Sequence, residues 1–273
     1  MNDGIIAYLG PIGTYGHMGA RQYFGEDADV LACPNIPAIF DAVAGGDAVQ
    51  GVAPIENSTE GGVTFTMDCL LEHSLKISGE LVVKCDQCLI GPQSELSEIS
   101  VVKSHPQALA QCKNWLTKNL PSAELLPTAS TSGAVLEVDD HTAAIASPLA
   151  SSHAGVPILV HGVQDRPRNR TRFVVIGMTS PPRTGDDKTT LIFSTPHEQG
   201  ALRRVLEVLD DAGINLTRIE SRPHPTELWR YVFFTDLEGH SSESRVSMAT
   251  DSLNKICTMV HVLGSYPRAP DPA

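Results

Sequence analysis

The chain has 273 residues, 41% of them hydrophobic, and carries 32 acidic against 20 basic side chains, a formal net charge of −12. That length and apolar content support two folded domains with substantial cores and exclude a disordered chain. The acidic balance argues against broad nucleic-acid binding, which needs a basic face, and no window reaches the ~18 uninterrupted apolar residues of a membrane helix.

The amino terminus, MNDGIIAYLGPIG, has neither the basic start nor the long apolar stretch of a signal peptide, so it reads as the first strand of a mature cytoplasmic domain. GIIAYLG (4–10) is that strand; it ends in the turn GPIGTYGH, and a helix begins between Thr14 and His17. VQGVAPIENS (49–58) is a second apolar run that breaks into a polar loop. ELVVKCDQCLIG alternates like a strand and contains Cys85-Asp86-Gln87-Cys88. A zinc site would need a second ligand pair, and neither a second C-x-x-C nor a spaced histidine pair accompanies it in the sequence. The six cysteines are scattered, as expected for buried thiols in a reducing compartment. ISVVKSHPQALAQCKNWL (99–116) repeats the strand-break-helix theme, with Ser104 suited to a helix cap and Pro106 to the first turn. TAAIAS (142–147) and RFVVIG (172–177) close the series. Each polar loop follows the carboxyl end of a strand, where open α/β sheets bind ligands beside helix N-termini that favour anions.

MTSPPRTGDDKTT (178–190) is rich in proline, glycine and polar residues and contains a linker, placed at 179–187. Beyond it, TTLIFSTP is a strand and EQGALRRVLEVLDDAG a helix with Leu202, Val205, Leu206 and Leu209 on one face and Gly213 at its C-cap. INLTRIESRP and LWRYVFFTD are strands around an HPTE turn. SSESRVSMATDSLNKI is a helix with Val246, Ala249, Leu253 and Ile256 inward, and CTMVHVLGSY is the last strand. The order βαββαβ is the ferredoxin-like arrangement, whose open sheet face commonly pairs with a second copy.

Several stretches together resemble one family, prephenate dehydratase with a C-terminal ACT regulatory domain. They are LGPIGTYGH (9–17), PIENSTEGGV (54–63), SHPQALAQC (104–112), AAIAS (143–147), NRTRF (169–173), GAL (200–202), INLTRIESRP (214–223), YVFFTDLEGH (231–240) and LGSYP (263–267). The resemblance implies an α/β fold: a two-lobed, periplasmic-binding-protein-like catalytic domain around a cleft, then a ferredoxin-like ACT domain. Expected boundaries are 1–178 for the catalytic domain (lobe 1 about 1–76 and 158–178, lobe 2 about 77–157) and 188–273 for the ACT domain. It implies prephenate as substrate, phenylpyruvate, CO₂ and water as products, no metal or organic cofactor, inhibition by L-phenylalanine, and a homodimer or homotetramer.

Hydroxide is a poor leaving group, so the chemistry needs a donor as the ring C–O bond breaks, and two substrate carboxylates need donors to hold them. The resemblance ties Thr171 to hydroxide departure as a hydrogen-bond donor. Arg172 can present a planar fork to a carboxylate, and Phe173 would wall the site. Alternation along a regular strand is taken to separate Thr171 from both Arg172 and Phe173, so that a bend or bulge at Asn169–Arg170 is needed for all three to face a cleft. Arg166, Arg168 and Arg170 read as solvated surface.

Thr14, Asn57, Ser58, Thr59, Ser104 and Gln111 are the expected substrate-binding residues; His105 is a weaker candidate acid, and Glu56 reads as structural because a free carboxylate repels a dianion. Gly16 stands where the family more usually has Ser, which is expected to remove a hydroxyl cap from the helix. For phenylalanine, Gly200, Ala201 and Leu202 open a helix whose free N–H groups favour a carboxylate, and the resemblance places Glu220, Ser221, Arg222 and Pro223 across a dimer interface from them, with Asn215 nearby. The rival readings are arogenate dehydratase, a decarboxylase that keeps the hydroxyl, and a non-catalytic binding protein for small anions or amino acids.

Overall fold

A computed structural model describes residues 4–270. In chain order the elements are β1 (Ile6–Leu9), α1 (Tyr15–Phe24), β2 (Val30–Cys33), α2 (Ile36–Gly45), β3 (Gln50–Asn57), the short β4 (Gly61–Gly62), α3 (Thr64–Glu72) and β5 (Lys76–Lys84). There follow β6 (Cys88–Ile90), β7 (Val101–Ser104), α4 (Pro106–Gln111), α5 (Lys113–Asn119), β8 (Glu124–Pro127), α6 (Thr131–Val135), β9 (Thr142–Ala146), α7 (Pro148–Ala154), β10 (Ile158–Val160) and β11 (Arg170–Gly177). The C-terminal part is β12 (Asp187–Ser194), α8 (Ala201–Asp211), β13 (Leu216–Pro223), β14 (Tyr231–Glu238), α9 (Ser244–Ile256) and β15 (Met259–Pro267).

Three sheets result. The first has the order β2-β1-β3-β11-β5, with β4 on β3; the second is β10-β6-β9-β7-β8. Parallel pairs β1/β2, β1/β3, β7/β8 and β7/β9 require helical crossovers, which is why apolar runs alternate with helices. At the centre of the second sheet β9 is covered on both faces, so it reads TAAIA with all five residues buried. The third sheet, β13-β14-β12-β15, is antiparallel, with α8 and α9 burying Val205, Leu209, Val246, Ala249 and Leu253 against Leu191 and Phe193. This is the expected βαββαβ unit. Gly213 lies just past the helix end, at φ +62°, and Ala212 is the cap.

Two sequence expectations change. The C-x-x-C does not lie within a strand: β5 ends at Lys84 and β6 begins at Cys88, so the motif spans one crossover from the first sheet to the second. Residues 161–169 form the return crossover. The helix expected through residue 116 is interrupted at Cys112, whose φ of −111° separates α4 from α5.

The chain divides into two compact units: residues up to Val63 with Val82–Phe173, and Thr64–Leu81 with the residues from Val174 on. In the second unit α3 and the first part of β5 pack with the C-terminal strands. Asp68 on α3 holds Arg222 of β13 through both carboxylate oxygens (2.8 and 2.9 Å). Lys76 donates to the Val262 carbonyl (2.8 Å), and buried Glu80 pairs with Lys188 of β12 (2.8 Å).

Candidate active site

A cleft of about 410 Å³ opens in the first unit, where the ends of β1, β3 and β7 and the starts of α1, α4, α6 and β11 converge. Local chemistry fixes each wall. Thr14 caps α1, its Oγ1 accepting from the His17 N–H (3.3 Å) and donating to the Leu9 carbonyl (2.8 Å). Gly13 needs φ +84°, and a Cβ there would meet the Ala150 backbone at 2.9 Å. Ser147, which caps α7, donates to the Gly13 carbonyl at 2.6 Å and so pins the β1–α1 loop.

Thr171 sits at the base of this cleft. Its Oγ1 accepts a hydrogen bond from Asn57 Nδ2 (2.9 Å) and lies 3.1 Å from the Cys85 sulfur. Burial pushes the Cys85 thiol up, against the opposing pull of Thr171 and Arg170, so at neutral pH it is protonated and able to donate. A hydroxyl oxygen has two lone pairs and one proton. Asn57 occupies one lone pair; where the Cys85 thiol turns to Thr171 rather than to the Val83 carbonyl (3.9 Å), it takes the other and the Thr171 proton is left for a ligand.

Asn57 is buried, and its amide is fully engaged by the protein. Oδ1 accepts the backbone N–H groups of Thr59 (2.9 Å) and Glu60 (3.2 Å), while Nδ2 donates to Asn169 Oδ1 (3.0 Å) and Thr171. It therefore organises Thr171 rather than presenting donors to substrate.

Phe173 lines the cleft together with Thr171, and Arg172 does not. The expected parting of Thr171 from Phe173 is corrected: residues two apart in a strand share a face, so both reach the cleft and no bulge is needed. Arg172 takes the other face, mostly buried, with its guanidinium 3.9 Å from the Glu56 carboxylate. No lysine or arginine is among the described residues that line the cleft. Arg166 and Arg168 are exposed and Arg170 half-buried; the Arg166 side chain borders an adjoining hollow of about 320 Å³.

Ser104 is corrected. It is fully buried in β7 and donates to the Ile145 carbonyl at 2.6 Å, which removes it from any ligand. The cap of α4 is instead His105, whose Nδ1 accepts from the Gln107 N–H (3.3 Å) while the residue lines the cleft. Ser58 stands outside the cleft lining, clipping the loop to β11 by accepting from the Arg170 N–H (2.9 Å). Thr59 lines the adjoining hollow, and Gln111 borders both spaces. Gly16 is inside α1, not at a cap; Thr14 supplies the hydroxyl, and a Cβ at 16 would press the Leu9 carbonyl at 2.8 Å.

Residues that sequence reasoning missed are Asn169, Cys85, Glu60, Gln107 and Ser130. Ser130 caps α6, and Thr131 with it lines the cleft; the spacing Ser130-x-x-Gly133 is a legible cap signal. Asn169 is visible in sequence only as the first letter of NRTRF.

Asp86, Cys88 and His161 bring ligand-type atoms within 4.8 Å of one another. The Asp86 carboxylate, however, already accepts the Gln164 amide (3.1 Å) and faces the Lys84 ammonium (3.5 Å). Cys88 Sγ lies 3.5 Å from His161 Nδ1. The cluster ties the two crossovers together by hydrogen bonds.

In the C-terminal unit a hollow of about 280 Å³ lies at the start of α8. Gly200, Ala201 and Leu202 line it with Trp229 and Tyr231; Asn215 and Glu220–Pro223 do not. Arg222 is engaged by Asp68, and Glu220 pairs with Arg218.

The prephenate dehydratase family model matches residues 6–181, and the ACT domain model residues 189–253. A bifunctional chorismate mutase/prephenate dehydratase of Aquifex aeolicus is 42% identical over 266 residues, 97% of this chain and 74% of that protein. The crystal structure of prephenate dehydratase in complex with L-Phe from Arthrobacter aurescens superposes with TM-score 0.89 at 37% identity, covering 98% of this chain and 92% of the other. A solved structure described as GqqA, a novel type of quorum quenching acylase, gives TM-score 0.88 at 32% identity, covering 97% and 98%.

Proposed function

From the premise that this chain belongs to the prephenate dehydratase family, with an ACT domain after the catalytic part, we propose how its cleft carries the reaction. The activity is decarboxylating dehydration of prephenate to phenylpyruvate, with feedback by L-phenylalanine. The ring carboxylate leaves as CO₂, and its bonding electrons enter the ring. The C–O bond opposite breaks with its electron pair on oxygen, and one proton taken up makes that oxygen water.

The observation that carries the reading is the Asn57 amide donating to the Thr171 oxygen. With Asn57 on one lone pair and the Cys85 thiol turned to the other, its O–H is directed to the departing hydroxide, where donation strengthens as negative charge develops. Gln111 and the backbone N–H groups at the start of α1, which Thr14 caps, border the same space and hold substrate carboxylates there. Phe173 walls the ring. The Gly200–Leu202 hollow takes the phenylalanine, with Asn215 and Glu220–Pro223 supplied from a second copy in a homodimer or homotetramer. Residues 1–178 are the catalytic domain, 179–187 the linker and 188–273 the ACT domain. The compartment is the cytoplasm, in keeping with six cysteines held as thiols.

An acylase reading of the same cleft needs a base to activate a nucleophile. Neither hydrogen-bonding neighbour of the Thr171 hydroxyl is a base: the Asn57 amide donates to it, and burial pushes the Cys85 thiol up so that it keeps its proton at neutral pH. That favours dehydration.

The test is phenylpyruvate formation from prephenate with EDTA present, for wild type and Thr171→Ala, with and without phenylalanine, and with arogenate and an N-acyl amide as alternative substrates. Turnover of prephenate that collapses in the variant supports the reading; turnover of arogenate or the amide alone sinks it.

A further inference from the structure

Four side-chain amides and hydroxyls at the cleft floor form a directed relay that closes on one residue. It starts at the backbone N–H groups of Thr59 and Glu60, which can only donate, and which fix Asn57 Oδ1 as their acceptor (2.9 and 3.2 Å). Asn57 Nδ2 must then point the other way, to Asn169 Oδ1 (3.0 Å) and Thr171 Oγ1 (2.9 Å). Asn169 Nδ2 in turn donates to Gln111 Oε1 (3.0 Å), and Gln111 Nε2 donates to the Glu60 carboxylate (2.8 Å), which can only accept. Amide orientations are assigned from such networks, and here both ends are unambiguous. Asn169 is the middle member and is 2% exposed.

We propose that Asn169 is a positioning residue for the dehydration: its amide sets the donor–acceptor direction of both Asn57 and Gln111, and through Asn57 leaves the Thr171 proton free for the substrate. The inference rests on the Thr171 reading above. It assigns a separate task to each end of one side chain. The Oδ1 end holds Asn57 and so serves the chemical step; the Nδ2 end holds Gln111, at the cleft border, and so serves binding.

Asn169→Ala removes both ends and leaves the Asn57 N–H without its acceptor. Asn169→Asp keeps the acceptor for Asn57 but replaces the donor toward Gln111 with an oxygen. Gln111 then has an oxygen facing either the introduced carboxylate or Glu60, whichever way its amide turns. Adding Glu60→Gln relieves this, because a turned Gln111 donates to the introduced carboxylate and accepts from the new amide. Gln87, whose Nε2 also reaches Gln111 Oε1 (3.4 Å), can turn with it, since its own Oε1 has no partner.

The experiment is steady-state kinetics with prephenate for wild type, Thr171→Ala, Asn169→Ala, Asn169→Asp and Asn169→Asp/Glu60→Gln, each checked by far-UV circular dichroism. Asn169→Ala is expected to lose roughly 10- to 100-fold in kcat, the scale of a misplaced catalytic group. Asn169→Asp is expected to raise KM about tenfold with kcat within about threefold of wild type, and adding Glu60→Gln is expected to return KM most of the way. A purely structural role for Asn169 produces neither the kcat/KM split nor the rescue. If Thr171→Ala keeps wild-type kcat, the Thr171 reading fails and this inference with it. If Thr171→Ala collapses but Asn169→Ala keeps kcat, or the double variant is no better than Asn169→Asp, this inference alone is overturned. Should Asn169→Ala fail to fold, Asn169→Asp and the double variant decide.

Discussion

Asn57 Nδ2 and Thr171 Oγ1 are 2.9 Å apart, joined across the sheet from the end of β3 to the start of β11, and the amide is the donor. The direction of that bond decides where the Thr171 proton can go. Thr171→Ala is expected to lower kcat by roughly 10²–10⁴-fold, while Thr171→Ser retains most of it. Asn57→Asp is the sharper variant. Its carboxylate still accepts the Thr59 and Glu60 N–H groups but draws the Thr171 proton to itself, so kcat should fall; it also sets an oxygen against Asn169 Oδ1, so a rise in KM through Gln111 should accompany the fall. A rise in KM alone would instead make Asn57 a substrate contact.

The fold is legible in the sequence because its signals are local. Alternating apolar runs and breaks mark β1, β3, β7 and β11, and helical spacing marks α8 and α9, although Leu206, expected on the apolar face of α8, is exposed. The site is legible only where a residue's role is visible from its own neighbours in sequence. Ser104 and His105 look alike as caps before Pro106; burial chooses, placing Ser104 on the Ile145 carbonyl. Arg172 reads as a carboxylate fork because charge is visible in sequence and its partner Glu56, on another strand, is not. Asn169 is unremarkable in sequence, since its three side-chain partners come from residues 57, 59 and 111.

Buried Cys88 and Cys112 and half-buried Cys257 predict alkaline weakness. Burial pushes Cys88 and Cys257 up to about 11 and Cys112 up to about 12, from an ordinary value of 9.0. The folded state holds these protons more tightly than the unfolded chain, so the stabilisation is complete below pH 9 and is lost as pH rises through 11–12. Melting temperature measured from about pH 8 to 11 should decline beyond about pH 9, and Cys112→Ala should flatten the slope. In the native protein near neutral pH these thiols should react slowly with iodoacetamide and react fully once unfolded. A flat alkaline profile would mean the thiols are solvated.

Arg222 spends Nε and Nη2 on Asp68, so that edge of its guanidinium is not open to phenylalanine while the pair holds. Asp68 lies on α3, which follows β4 in the chain. The pair is partly exposed (24% and 42%), so it is worth no more than ~1 kcal/mol, or about fivefold in an equilibrium. Asp68→Asn should therefore leave the melting temperature and uninhibited kcat nearly unchanged. Releasing Arg222 should lower the half-inhibitory phenylalanine concentration about two- to fivefold, since the ligand no longer competes with the carboxylate. An unaltered inhibition curve would show that the pair has no part in phenylalanine binding.

The Glu80–Lys188 pair differs from Asp68–Arg222 because it is buried, with side-chain exposures of 2% and 12%. Lys188 Nζ reaches both carboxylate oxygens (2.8 and 2.9 Å), and Glu80 also accepts the Ala269 N–H (2.9 Å). Removing one partner of such a pair strands a charge that water cannot reach, at a cost of about 3–5 kcal/mol, whereas replacing both is often near neutral. Lys188→Met should therefore lower the melting temperature markedly, and Lys188→Met/Glu80→Gln should recover most of the loss. The recovery is the informative part, because a lost packing contact would persist in the double variant. If instead the single variant costs no more than a surface pair, water reaches Glu80 in solution, and the start of β5 is held by its strand pairing rather than by this ion pair.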